Sequence, residues 1–411
     1  PDASIERCKQ AIKISPDYAN AYNILGNAYM GKSDTANAAE SFRKALDKMP
    51  EFHDERFNLG VSLLGLDKTG EALDCFNEVL EHVPQNINAM TRKADIYALT
   101  GKLKEAGHLY QQAIDANSSF SPAYIGMGKL FLKLKKYDEA LSHFKRAIEL
   151  NPNNIEALTN IGVAFQKLGQ VDAAAAAFSD VIEIDTENAQ AKFLLATVQD
   201  CAPPAKPEGD YVKRLFDEFA DTFDSNLEKL DYNAPEQLAE LARQLMPIDK
   251  TGMDIIDLGC GTGLSGMQFK HMARTLKGID LSPRMLSVAR QRKIYDELEE
   301  NDVLTALVRH QDDTDIIVSA DTFPYLGDLE SVFLSVAGAL RGDGLFLFTV
   351  ETHDSDDDYL LAQTARYSHS GRYIEKLAER REFGVLVCKD TVIRKQGDEE
   401  VKGLIVALRK N

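Results

Sequence analysis

A single spacing governs the first half of this chain. Small residues recur at Gly26, Gly60, Ala94, Gly128, Gly162 and Ala196, each 34 residues after the one before. Twelve residues further on in each unit stands an alanine: Ala38, Ala72, Ala106, Ala140 and Ala174. Four residues later comes an aromatic: Phe42, Phe76, Tyr110, Phe144 and Phe178. Prolines close several units at Pro16, Pro50, Pro84 and Pro152. A period this long admits few folds. Each unit must be one small supersecondary element that cannot bury its own apolar face and therefore stacks on its neighbours. The pattern predicts helix pairs. The small residue lets the first helix approach its partner, the aromatic fills the space beside it, and the proline ends the second helix because it cannot continue the hydrogen-bond ladder.

These positions resemble the signature of the tetratricopeptide repeat over roughly residues 1–200. The resemblance implies an all-α solenoid made of a half repeat, five full repeats and a capping helix at 189–200. It also implies a concave partner groove, on which Asn20, Asn23, Asn27, Asn58, Asn88, Arg92, Lys129, Thr159 and Asn160 would stand. Asparagine offers a donor and an acceptor on one short amide, so a row of them suits an extended peptide backbone. A purely structural use of these amides stays open. Asn27, Asn58 and Arg92 match part of the family's clamp for a C-terminal carboxylate, but Asn23 and Asn88 replace its two lysines.

The chain has 411 residues, too many for one compact core, and a net charge of −18. Residues 1–200 contribute −6 and the remainder −12, and so acidic a second half argues against a nucleic-acid partner. No apolar run approaches the roughly 20 residues of a membrane span. The opening PDASIERCKQ has neither an initiator Met nor an apolar signal core, as expected of a processed or trimmed start. Five dispersed cysteines without CxxC spacing suit reduced thiols in a cytoplasm, with no zinc site.

At residues 201–209 the sequence CAPPAKPEG breaks any helix and marks a linker, with a second domain over 210–411. Beyond it, strand-length apolar runs at 253–259, 275–281, 314–320 and 345–351 alternate with the helical stretches 263–271, 283–292, 328–340 and 372–380. A weaker strand is expected at 296–301. Such alternation predicts a parallel sheet wrapped by helices, an α/β Rossmann-like domain. Two final strands around the turn 396–398 add an antiparallel hairpin. The first strand ends in D-L-G-C-G-T-G, giving Asp257, Gly259, Cys260, Gly261 and Gly263. Glycines there let backbone come within contact of a ligand at a helix N-terminus. The dinucleotide fingerprint GxGxxG is not met, because Leu264 stands where its third glycine belongs.

An acidic residue ahead of the glycines, and Asp280 at the end of the second strand, resemble the class I S-adenosylmethionine-dependent methyltransferases, with their seven-stranded sheet and antiparallel final hairpin. The whole chain resembles bacterial methyltransferases that carry tetratricopeptide repeats. The resemblance implies S-adenosylmethionine as cofactor and S-adenosylhomocysteine as product. Gly259, Cys260, Gly261 and Gly263 would line its methionyl part, Asp257 would reach its amino group and Asp280 its ribose. Leu281 and Met285 would pack on the adenine, near Asn301 and Asp302. The segment 210–246 would form a lid, with Phe219 and Phe223 over the cofactor. An activated sulfonium methyl needs little beyond orientation, so no catalytic signature is required. Asp321, Tyr325, His353 and His369 are the candidates at the acceptor rim. Three functions stay open: methylation of a protein or peptide recruited by the repeats, methylation of a small molecule or lipid precursor with the repeats as an assembly module, and a cofactor-binding scaffold without turnover.

Overall fold

The computed structural model describes residues 2–66, 68–199, 209–246, 252–396 and 399–411. The expected linker residues 201–208 and the hairpin turn at 397–398 lie outside the described residues. The chain divides into two compact units, Pro1–Ile184 and Asp185–Asn411.

The first unit is all helix: α1 (Asp2–Ile14), α2 (Ala19–Met30), α3 (Thr35–Lys48), α4 (His53–Leu64), α5 (Thr69–His82), α6 (Ile87–Leu99), α7 (Leu103–Ala116), α8 (Ser121–Lys133), α9 (Tyr137–Leu150), α10 (Ile155–Lys167) and α11 (Val171–Ile184). Its periodicity has a steric origin. A Cβ on Gly26 would lie 2.7 Å from the ring of Phe42, and one on Gly60 2.7 Å from that of Phe76. Gly128 stands in the same relation to Phe144, and Gly162 to Phe178. The unit that carries Ala94 departs from this pattern. There the aromatic is Tyr110, whose ring presses on Gly126 of the next helix and whose hydroxyl donates to Asp95 at 2.6 Å. The side chains of Asn86 and Asn154 cap α6 and α10 by accepting from Ala89 and Ala157 N–H. These two asparagines, neither of them among the groove residues named above, serve helix starts.

The second unit opens with α12 (Ala189–Ala196), so the compact units part ahead of the boundary expected at 200/201. In α12, Phe193 is buried with its ring centroid 6.2 Å from that of Tyr367. Next come α13 (Gly209–Phe219), α14 (Phe223–Glu228) and α15 (Ala234–Leu245). The α/β part follows as β1 (Met253–Leu258), α16 (Leu264–Phe269), β2 (Ala273–Asp280), α17 (Pro283–Gln291), β3 (Glu297–Glu300), α18 (Val303–Leu307), β4 (Thr314–Ser319), α19 (Glu330–Ala339) and β5 (Leu340–Glu351). It closes with β6 (Tyr359–Leu361), β7 (Tyr367–His369), α20 (Gly371–Arg380), β8 (Phe383–Gln396) and β9 (Glu399–Lys410). The strands β3-β2-β1-β4-β5 run parallel in that order, and β9 then pairs antiparallel with both β5 and β8. The expected sheet and hairpin are present. Beyond them, the short β6–β7 ribbon hangs on the end of β5 through the pair Glu351↔Ser368.

Alternation along the strands sorts the core onto two faces. Phe346, Phe348 and Val350 of β5 join Phe333 of α19 and Leu377 of α20 on one face. Leu345 and Leu347 join Leu238 of α15 and Phe269 of α16 on the other. The sheet is thus covered on both sides, and its open end is the C-terminal edge of the parallel strands, where ligands of such sheets bind. No described helix is long and apolar enough to cross a membrane.

Candidate functional site

A cleft of the second unit lies at that edge, roofed by α13 and α14. The strand ends supply its floor. Gly259 and Gly261 adopt φ of +68° and +53°, which turns the chain sharply after β1. At Gly259 a Cβ would run into Thr322 of the loop after β4, so two loops meet there with no room for a side chain. Gly261 is different, because a Cβ there would meet only the ring of Phe223, at 3.9 Å. Its open face looks into the cleft.

Asp280 ends β2 and is half-buried at the floor of the cleft. Its Oδ2 accepts from Gly261 N–H at 2.9 Å and its Oδ1 from Ser282 N–H at 2.8 Å. Each oxygen keeps a lone pair, so the carboxyl can still take two hydroxyl donors, as a ribose diol would offer. Burial pushes Asp280 up to about 6, against the lowering effect of those N–H groups. Asp257, beside it on β1, is pushed by burial up to about 7.

The roof is fastened by two aspartates. Asp217 of α13 accepts from the Ser282 hydroxyl, and Asp224 of α14 accepts from Thr262 and Arg292. Phe216 of α13 meets Phe223 edge-on at 6.1 Å and Tyr325 edge-on at 4.9 Å. The roof is therefore apolar inside and latched by charge outside.

At the far end, after β4, the wall becomes polar. Asp321 accepts from Arg366 at 2.7 Å and from Arg394 at 3.1 Å. Glu351, at the end of β5, accepts from both guanidiniums as well. Arg366 also donates to the Tyr325 hydroxyl and lies over its ring at 4.8 Å. All four charged groups are largely buried, with side-chain exposures of 9% to 15%. Burial raises the Tyr325 and Tyr232 phenols, which keeps both protonated near neutral pH.

Of the residues expected from the sequence, Gly259, Cys260, Gly261, Asp280, Leu281, Asp302, Phe223, Asp321 and Tyr325 line this cleft. The others do not line it, among them Asp257, which is wholly buried. Gly263 faces Tyr295 and Arg292, Met285 is wholly buried, and Phe219 is 46% exposed and does not line the cleft. Asn301 donates to Glu299 at 2.8 Å. His353 bonds Ser368 and the Asp357 carbonyl, away from the cleft. His369 is buried beside Tyr359 and Tyr373, with Nε2 2.9 Å from the Gly327 carbonyl, and burial lowers it to about 4. Neither histidine lines the cleft. Sequence reasoning missed Arg366, Arg394 and Tyr232, which carry no local motif.

In the repeat unit, Asn27 donates to Asn23 at 2.8 Å, and Asn58 of the next repeat donates to Asn27 at 3.4 Å. Asn88 is exposed. Arg92 donates to Asp95 at 3.1 Å.

Comparison with known proteins adds the following. A profile described as a methyltransferase domain matches residues 249–397. Profiles of the tetratricopeptide repeat match 19–47, 128–169 and 155–188, and one of anaphase-promoting complex subunit 3 matches 68–147. The chain is 25% identical over 158 residues to a malonyl-[acyl-carrier protein] O-methyltransferase of Yersinia pestis, covering 38% of this chain and 57% of that one. It is 28% identical over 134 residues to a probable S-adenosylmethionine-dependent methyltransferase of Saccharomyces cerevisiae, covering 30% and 45%. The chain thus spans about half the length of these curated relatives. A thermophilic tetratricopeptide protein of Thermus thermophilus is 18% identical with a TM-score of 0.40, covering 44% of this chain and 98% of that one.

Proposed function

We propose, on the premise that this chain joins tetratricopeptide repeats to a methyltransferase domain, that the second unit moves a methyl group from S-adenosylmethionine to a carboxylate oxygen of a small acceptor. The cofactor, when bound, supplies an already activated methyl group. The residues at hand suit it: Asp280 keeps two lone pairs, Gly261 presents bare backbone, and Phe223 covers that backbone.

The observation that carries the reading is the polar end wall. Arg366 and Arg394 each retain N–H groups beyond those given to Asp321 and Glu351, and Tyr325, which accepts from Arg366, keeps its own proton to donate. This wall offers hydrogen-bond donors to an anionic oxygen in an apolar enclosure, where such bonds are strongest. No histidine or lysine is among the described lining residues, and the two phenols hold their protons. An acceptor that arrives ionised needs no base, whereas an alcohol does. The name of the Yersinia pestis relative, an O-methyltransferase of a malonyl carrier, describes the same chemistry.

The test is incubation of the full chain with methyl-labelled cofactor and cell extract, followed by mild alkali. A carboxyl methyl ester releases its label as methanol. Label that stays fixed in alkali would assign an amine, carbon or ether acceptor instead. For the first unit, the linked amides of Asn23, Asn27 and Asn58 favour a protein partner held along the groove by its backbone.

A further inference from the structure

Tyr295 lies in the loop after α17, outside every motif noted above. Its ring occupies the room that three side chains would need. A Cβ on Gly263 would come within 3.1 Å of it and one on Gly278 within 2.9 Å, and one on Gly266 would overlap it. These glycines belong to three segments: the N-cap of α16, α16 itself and β2. The three absent side chains make a cradle for one ring. A phenylalanine would fill it equally, and a buried hydroxyl costs free energy unless it is bonded. The Tyr295 hydroxyl is bonded: it donates to Asp257 Oδ2 at 2.7 Å.

Asp257 is the group that this bond serves. It is wholly buried, and no described lysine, arginine or histidine forms an ion pair with it. Its Oδ1 has no hydrogen-bond partner. A buried carboxyl with one oxygen fixed and the other unmatched lacks a cation. Burial holds it towards its neutral form, and the Tyr295 bond opposes that.

We propose that Tyr295 is a positioning residue for the amino-acid end of the cofactor, acting through Asp257. By fixing Oδ2, it holds the carboxyl in one orientation, so that the α-ammonium supplies the missing counter-charge. This rests on the cofactor reading given above. The adenosine end is held by other residues and does not depend on the phenol.

The test separates the two ends by calorimetry on the full chain, with two ligands. S-adenosylhomocysteine carries the α-ammonium, and 5′-methylthioadenosine lacks the amino-acid portion. In Tyr295→Phe the dissociation constant for S-adenosylhomocysteine rises about tenfold, while that for 5′-methylthioadenosine and the melting temperature stay as in wild type. Asp257→Asn weakens S-adenosylhomocysteine alone, and adding Tyr295→Phe to it costs nothing more. Equal loss for both ligands would make Tyr295 a packing residue, and unchanged affinity for both would remove it from recognition. Either result overturns the proposal and leaves the cofactor reading intact. Wild type that binds neither ligand overturns that reading, and the proposal with it. Should Tyr295→Phe fail to fold, Asp257→Asn alone decides: selective loss of S-adenosylhomocysteine supports the pairing, and no selectivity ends it.

Discussion

Arg366 both donates to the hydroxyl of Tyr325 and lies over its ring, so one guanidinium fixes the phenol's position and direction. The phenol's proton is then free for the acceptor. Tyr325→Phe keeps the ring and its edge-on contact with Phe216 but removes that donor. The expected result is a roughly tenfold higher KM for the acceptor, as one lost hydrogen bond implies, with S-adenosylhomocysteine affinity unchanged. Steady-state kinetics beside calorimetry read the two separately.

Gly261 has a positive φ and an open face towards the cleft. Gly261→Val places a branched side chain in that space and strains the backbone. Affinity for S-adenosylhomocysteine is expected to fall by about a hundredfold or more, with circular dichroism unchanged. Full affinity in this variant would move the cofactor off the loop.

Asp257 and His369 bend the pH dependence of stability in opposite directions. Asp257 rises from 3.8 to about 7 on folding, so between those values the folded state holds the extra proton and stability falls as pH rises. His369 drops from 6.5 to about 4, so there the unfolded state holds the extra proton and stability is lost as pH falls. Relative to wild type, Asp257→Asn should gain melting temperature from about pH 4 to about pH 7. His369→Gln should compare best with wild type near pH 4. Thermal melts across that window check both signs.

Gly128→Ala would set a methyl group against the Phe144 ring, where the Cβ falls 2.5 Å from Cε1. Overpacking of this kind costs about 1–3 kcal/mol. The repeat unit should melt earlier while cofactor affinity holds, as calorimetric scans with and without ligand would register.

The joint replacement Asn27→Ala/Asn58→Ala/Asn88→Ala should weaken partner recovery in pull-downs, at about 1 kcal/mol per amide, with helicity unchanged. Equal recovery would leave the groove without a role in recognition.

How much of this was legible in the sequence depended on range. The repeats and the β1 loop show themselves because their parts are local: a ring meets a glycine of its own helix pair, and the loop turns within a few residues of its strand. The end wall was not legible. Arg366 and Arg394 meet Asp321 only because the β6–β7 ribbon and β8 return to the end of β5, and no spacing encodes that return. His369 misled for the converse reason. Its neighbourhood in sequence suggested a rim, while Tyr359 and Tyr373 close around it in space. Tyr295 lies 38 residues from Asp257, in a loop with no pattern of its own.

The pairing of Tyr110 with Gly126 breaks the rule that each ring stays within its own helix pair. Helix α8 is gripped at Gly126 by the helix before it and, two residues on, at Gly128 by Phe144 of the helix after it. An array of this kind behaves as a one-dimensional lattice whose neighbours couple with unequal strength. Here one ring crosses mid-lattice, between the third and fourth repeats, so a substitution at Tyr110 or Gly126 acts on the seam between two repeats rather than inside one.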